Sequence, residues 1–302
     1  MSNVPSRDAA ADDVVQWLLA LPDLEETLGD VLRRSFDEVL DGQRTGRWRI
    51  EDLEKTEKTY IGTKVEILLR EALGLPEGAT LDYEIAGHEV DCKFSLGGKG
   101  WAIPLEAQNR LCLLIAADDD SSLFSVGVLR CAPEVLTAPN RDRKRGVGKT
   151  ARAATRWLYQ DAPMPRNLLR SLPDEAREQI VGGEAPSSGQ ARVDQLFRLA
   201  QGQIVRRETT LTVAQQADPM KRARDSRLHL LDEGVLILGH QGEHPRIAEE
   251  LGLPVPRKGE LVSVRVVPCD EAESAPRATV IGGRNWRVAA SDDPTTPGPD
   301  DY

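Results

Sequence analysis

The sequence predicts an α/β N-terminal domain followed by a C-terminal domain in which helices come first and short strands afterwards. Three observations carry this. After Pro76 the apolar period changes from helical to alternating. The run LCLLIAA at 111 to 117 is almost wholly apolar and suits a buried central strand. From about residue 160 the composition shifts to Pro, Gly and Ser clusters, DAPMPRNLLRSLPDE and VGGEAPSSGQ, typical of linkers and loops. A chain of 302 residues is long enough for two hydrophobic cores.

The first dozen residues read as disordered. Between 13 and 40, Trp17, Leu18, Leu24, Leu28, Val31, Leu32, Phe36, Val39 and Leu40 recur at helical spacing and predict one or two amphipathic helices. Thr63 to Leu73 predicts another, stopped by Gly74 and Pro76. LDYEIAGHEVDCKFS then reads as a β-hairpin turning around Ala86, Gly87 and His88, and LFSVGVLRC at 123 to 131 as a further strand. Beyond the linker, GQARVDQLFRLAQG predicts a helix, and TLTVAQQADPMKRARDS predicts two short helices joined at Ala217-Asp218-Pro219. GVLILG and GELVSVRVVP read as strands, which together suggest a winged helix-turn-helix. The boundaries fall at 1–162 for the first domain, 163–167 for a linker, 168–290 for the second domain and 291–302 for a disordered tail.

Composition narrows the function classes. No apolar run approaches the length of a membrane span, and MSNVPSRDAAADD lacks the form of a secretory signal, so a cytoplasmic protein is expected. Cys92, Cys112, Cys131 and Cys269 make no CxxC pair, which argues for reduced thiols rather than a zinc knuckle. His88, His229, His240 and His244 form no ligand-like spacing. The net charge of −10 disfavours nucleic acid only if it is evenly spread. It is not: residues 141 to 156 carry seven basic side chains and one acidic.

Chemistry concentrates in the hairpin. A two-residue turn at Ala86-Gly87 or Gly87-His88 brings Asp82, Glu84, Asp91 and Lys93 to one face, because side chains alternate along strands. Carboxylates on such a face hold Mg²⁺, which activates water and clamps phosphate oxygens, and a lysine two residues after an aspartate reaches the same water. The same alternation also serves a solvated, ion-paired sheet face.

The stretch GTKVEILLREALGL followed by TLDYEIAGHEVDCKFS resembles the active-site region of restriction endonucleases of the PD-(D/E)xK superfamily, specifically of the NaeI type. In such enzymes a helix supplies a glutamate, a strand one aspartate, and the next strand an Asp-x-Lys pair. The resemblance implies a catalytic set of Glu66, Asp82, Asp91 and Lys93. Asp82, Asp91 and the Cys92 carbonyl would hold Mg²⁺, with Glu66 as a metal or supporting carboxylate and Lys93 positioning the attacking water. Leu81 stands where the superfamily label has proline. The likeness extends through Asn140-Arg141-Asp142, GQARV near 189, TVAQQ near 212 and LGLPVPRKG at 251 to 259.

The resemblance also implies a PD-(D/E)xK nuclease fold in the first domain and a catabolite-activator-like winged helix in the second. It further implies sequence-specific cleavage of double-stranded DNA at a GC-rich palindrome such as GCCGGC, activated by a second DNA copy on the C-terminal domain. Two-fold cleavage of a palindrome calls for a homodimer. Arg141, Arg143, Lys144, Arg145 and Lys149 are candidate DNA-backbone contacts, and Lys221, Arg222 and Arg224, beside Arg227, sit on the candidate recognition helix. A winged-helix regulator that does not cut, and a mismatch-repair-type nicking nuclease, are the alternatives.

Three motifs compete. GVGKT at 146 to 150 suggests a phosphate loop, but Arg143 stands where that pattern needs glycine and no apolar strand precedes it, so no nucleotide cofactor is expected. Val39-Leu40-Asp41-Gly42 is similar to the ligase motif without its nucleophilic lysine. Asp118-Asp119-Asp120 is a metal candidate that reads more readily as a solvated turn.

Overall fold

The structure, a computed structural model, describes residues 8–98, 100–216, 218–270, 277–300 and 302. It divides into two compact units, one of residues 1–39 and 49–167, the other of 40–48 and 168–302. No helix of the described residues is long and apolar enough to cross a membrane.

The chain begins with α1 (Ala9–Leu19), α2 (Leu24–Leu40), the single turn α3 (Gly42–Thr45) and α4 (Lys55–Leu73). β1 (Tyr83–Ile85), β2 (His88–Leu96), β3 (Ala102–Ile103), β4 (Leu111–Asp118), β5 (Leu123–Arg130), β6 (Leu136–Pro139), β7 (Arg145–Val147), α5 (Lys149–Ala154) and β8 (Arg156–Pro163) follow. The main sheet of the first unit has the order β1-β2-β4-β5-β8. Only β2 and β4 run parallel; every other neighbour is antiparallel.

The hairpin turns at Ala86 and Gly87, whose φ values of 53° and 78° are the left-handed pair a two-residue turn demands. Tyr83 then faces Val90, and Ile85 faces His88. On the Phe94 side of β2, α2 and α4 close the core: Phe36 meets Phe94 edge to face, 6.1 Å between centroids, and α4 approaches at Gly62. The opposite side is covered by Trp101, Ile103, Leu136 and Ala151, packed on Cys112, Leu114 and Ala116 of β4. Those residues come largely from a small sheet of order β3-β7-β6 and from α5.

The second unit contains α6 (Leu168–Ser171), α7 (Asp174–Val181), α8 (Gly189–Leu199), β9 (Ile204–Arg206), α9 (Arg207–Ala214) and α10 (Pro219–His229). β10 (Val235–Leu238), α11 (His244–Glu250), β11 (Glu260–Pro268), β12 (Ala278–Ile281) and β13 (Arg284–Val288) complete it. Val193, Leu196 and Phe197 of α8, Val213 of α9 and Ala223 of α10 share one core with Val235 and Ile237. The sheet order is β10-β11-β13-β12, with β9 also on β11, so β10 is an edge. Its outward N–H groups are occupied by partners among the described residues. Val235 N–H donates to Leu230 O, Ile237 N–H to the Tyr302 hydroxyl at 3.2 Å and Gly239 N–H to His244 Nδ1, while Arg227 Nε donates to Ile237 O. Burial holds His244 below the ordinary histidine range, keeping Nδ1 an acceptor.

Several expectations are corrected. Residues 8 to 12 are ordered: Asp8 caps α1 by accepting from Ala11 N, and its carboxylate meets Arg130 Nε at 2.6 Å. Met1 to Arg7 lie outside the described residues. Within the expected linker at 163–167, Pro163 ends β8 opposite Leu123 and Met164 is buried with its N–H on Ser122 O. The tail at 291–302 packs rather than straying: Asp293 pairs with Arg287, Gly298 N–H donates to Leu231 O, and Tyr302 packs against His244. Asp301 lies outside the described residues.

α4 starts eight residues before Thr63 because its first two turns bury little besides Ile61 and so leave no apolar period to read. Residues 40 to 48 belong with the second unit, because a Cβ at Gly42 would overlap the Thr212 side chain and Gln43 Nε2 donates to Gln216 O at 2.8 Å. Of the joint expected at 217–219, Ala217 lies outside the described residues, while α9 ends at Ala214 and α10 starts at Pro219 with Asp218 as its cap. Asp119 is neither metal-facing nor solvated: it is 5% exposed and ion-paired with Arg33, itself 1% exposed.

Candidate active site

The site begins with the hairpin. Asp82 immediately precedes β1, and its Oδ2 accepts the Cys92 N–H at 2.6 Å, which pins the aspartate beside the middle of β2. Asp91 and Lys93 stand on the β2 face shared with Cys112 and Leu114, as the parallel register dictates. The Lys93 ammonium contacts Asp91 Oδ2 at 2.5 Å and donates to Cys92 O at 2.9 Å. A single cation thus gathers two of the oxygens expected to face a metal.

The electrostatics suit cation chemistry. Burial pushes Asp91 up, and Lys93 opposes that push. Burial pulls Lys93 down, but Asp91 outweighs it and holds the amine above the ordinary lysine range, as an ammonium. Glu66 on α4 is raised by burial and then by the charge of Asp82, with Arg70 and Lys93 pulling the other way. Glu66, Asp82, Asp91 and Lys93 therefore feel one another electrostatically. Among the described residues, however, no three His, Cys, Asp or Glu side chains gather closely enough to hold a metal ion unaided.

Sequence reasoning missed two residues that hold the site in place. Tyr83 is fully buried and its hydroxyl donates to the Glu66 carbonyl at 2.8 Å. Arg70, one turn after Glu66, donates from Nη2 to the Asp82 carbonyl at 3.0 Å and lies over the Tyr83 ring. The signal was present in the i, i+4 spacing of Glu66 and Arg70, which places both on one side of a helix. Glu106, just before β4, adds a carboxylate that acts on Asp91.

The basic residues fall in two places. Arg141, Arg143 and Lys144 are exposed on the β6–β7 turn, shaped by Asn140 Oδ1 accepting from Asp142 N and Lys144 N. Arg145 is turned back onto Thr137 O at 2.8 Å. The Lys149 side chain lies outside the described residues. In the second unit Lys221 and Arg224 are exposed on α10, whereas Arg222 pairs with Asp225 at 3.5 Å and Arg227 is bonded to Ile237 O. A cleft of about 290 Å³ lies between α10 and the loops at Gly239 and Gly259, lined in part by Arg224, Arg227 and His240.

The chain is similar to known proteins along nearly its whole length. The profile of the restriction endonuclease NaeI family matches residues 12–297. The chain is 42% identical over 311 residues to the type II restriction enzyme NaeI of Lentzea aerocolonigenes, covering 99% of this chain and 98% of that protein.

Proposed function

From the chain's membership of the restriction endonuclease NaeI family, we propose that it is a type II site-specific deoxyribonuclease acting on double-stranded DNA with Glu66, Asp82, Asp91 and Lys93 as its catalytic set. The observation that carries the residue assignment is the convergence of Asp91 Oδ2 and Cys92 O on one cation, beside an Asp82 fixed by the Cys92 N–H.

These donors are hard oxygens, and they fit Mg²⁺, which binds through one or two carboxylates, keeps several waters and needs no closed protein cage. Asp82, Asp91 and the Cys92 carbonyl would hold it, with Glu66 supporting. When bound, the ion supplies charge neutralisation at the phosphate and a more acidic water. The remaining work falls to the chain. Lys93, held as an ammonium, orients the attacking water and stabilises charge building on the phosphoryl oxygens. Asp91 on β2, and Asp82 held beside it by the Cys92 N–H, fix the position of that chemistry.

The α8–α9–α10 cluster with β10 and β11 supports reading the second unit as a winged helix that holds a second, activating DNA copy, with α10 as recognition helix. In the same reading the enzyme is a cytoplasmic homodimer, its first unit has the PD-(D/E)xK fold, and its site is a GC-rich palindrome such as GCCGGC. The test is plasmid cleavage with purified protein and Mg²⁺. The parent chain is expected to make double-strand breaks at one sequence, and Lys93→Ala and Asp91→Asn to lose activity by at least about a hundredfold. Parental rates in either variant would overturn the site, and failure of chelator to stop cleavage would overturn the metal.

A further inference from the structure

The two missed residues form a clamp between the elements that carry Glu66 and Asp82. Arg70 Nη2 donates to the Asp82 carbonyl at 3.0 Å and lies 3.8 Å from Glu66 Oε1. Tyr83, next to Asp82, returns the tie by donating its hydroxyl to the Glu66 carbonyl at 2.8 Å. The guanidinium sits 5.7 Å from the centre of the Tyr83 ring, so the two ties brace each other. Two carboxylates sharing a site repel, and the two ties hold the backbone segments that carry Glu66 and Asp82 against that repulsion. Here the bridge is a cation, bonded to the Asp82 backbone and ion-paired with the Glu66 carboxylate, and a buried hydroxyl bonded to the Glu66 backbone.

We infer that Arg70, braced by Tyr83, is a positioning residue that sets the spacing of Glu66 and Asp82 and thereby the affinity of the site for a divalent cation. The inference rests on the nuclease reading of the site. Neither residue touches the reacting atoms. Outer partners that fix metal-binding side chains change metal affinity by about ten- to a hundredfold when removed.

The experiment uses the full chain and its Arg70→Ala, Arg70→Lys and Tyr83→Phe variants. Mn²⁺ binding without DNA is followed through the paramagnetic resonance of the free ion, alongside plasmid cleavage at graded Mg²⁺. Arg70→Ala is expected to weaken Mn²⁺ binding about tenfold and to raise the half-saturating Mg²⁺ by a similar factor, with KM for DNA within about twofold. Arg70→Lys, which keeps the charge beside Glu66, is expected to recover most of that loss.

Unchanged Mn²⁺ affinity in folded Arg70→Ala overturns the inference. If circular dichroism shows that variant unfolded, Tyr83→Phe decides: affinity weakened at least about threefold supports the clamp, and parental affinity overturns it. A parent chain that binds Mn²⁺ but cuts no DNA sinks the nuclease reading while leaving the clamp measurable. A parent that cuts DNA beside an unaltered Arg70→Ala affinity sinks only the clamp.

Discussion

A buried charge shows its purpose through its partners. Arg33 is enclosed, with Asp37 Oδ1 at 2.9 Å and the Asp119 carboxylate against it, and burial is outweighed by those two anions, which keep its pKa raised. Asp119 lies in an acidic triplet that reads as a surface turn or a metal site, because nothing local announces a partner 86 positions away. Replacing it with alanine leaves a guanidinium enclosed beside a single carboxylate, and Asp119→Ala is expected to cost about 3–5 kcal/mol in urea unfolding. A loss under about 1 kcal/mol would return Asp119 to the surface-turn reading. The catalytic candidates were legible for the opposite reason. Asp82, Asp91 and Lys93 signal one another through strand alternation within a dozen residues, whereas Arg70 and Tyr83 matter through contacts that alternation does not encode.

Elements were readable where burial was one-sided and hidden where it was not. β4 appears in the sequence as an apolar run, and the β1–β2 hairpin as alternation around Ala86-Gly87. β8 escaped because it is an edge strand, mostly half-exposed, with register shifts against β5 and a left-handed Asp161 that break its period. The short β3, β6 and β7 escaped because two to four residues carry no period at all. α1 depends on an ion pair for its seat. Asp8 lies below the ordinary aspartate range, chiefly through its hydrogen bond to Arg130. A depressed carboxylate stabilises the fold above its unfolded pKa, and that gain disappears as pH falls through the folded value. Asparagine caps as well as aspartate. Asp8→Asn is therefore expected to lower the melting temperature at pH 7, with the deficit closing as pH drops below about 4. A deficit that persists in acid would mean that the cap, not the charge, was lost. Gly42→Val tests the seat of α3: overlap with Thr212 should destabilise the second unit by about 1–3 kcal/mol, read by denaturant unfolding.

Across the whole molecule, net charge misleads and its distribution informs. A chain of −10 still offers Arg141 and Lys144, exposed on one turn, to a phosphate backbone. If both neutralise phosphates, the double variant Arg141→Gln/Lys144→Gln should flatten the dependence of log affinity on log salt by about two. An unaltered slope would remove that turn from the DNA interface. The structure divides between residues 167 and 168, and residues 40–48 join the second unit through a close helix approach at Gly42 that composition does not encode. The tail has a bearing on how the protein behaves in a tube. The Tyr302 hydroxyl accepts from the Ile237 N–H on the outward side of β10. A preparation trimmed there by protease would expose the start of a template for edge-to-edge growth. Such material should pass activity assays when fresh and scatter more light with each day of storage, whereas intact chains stay clear.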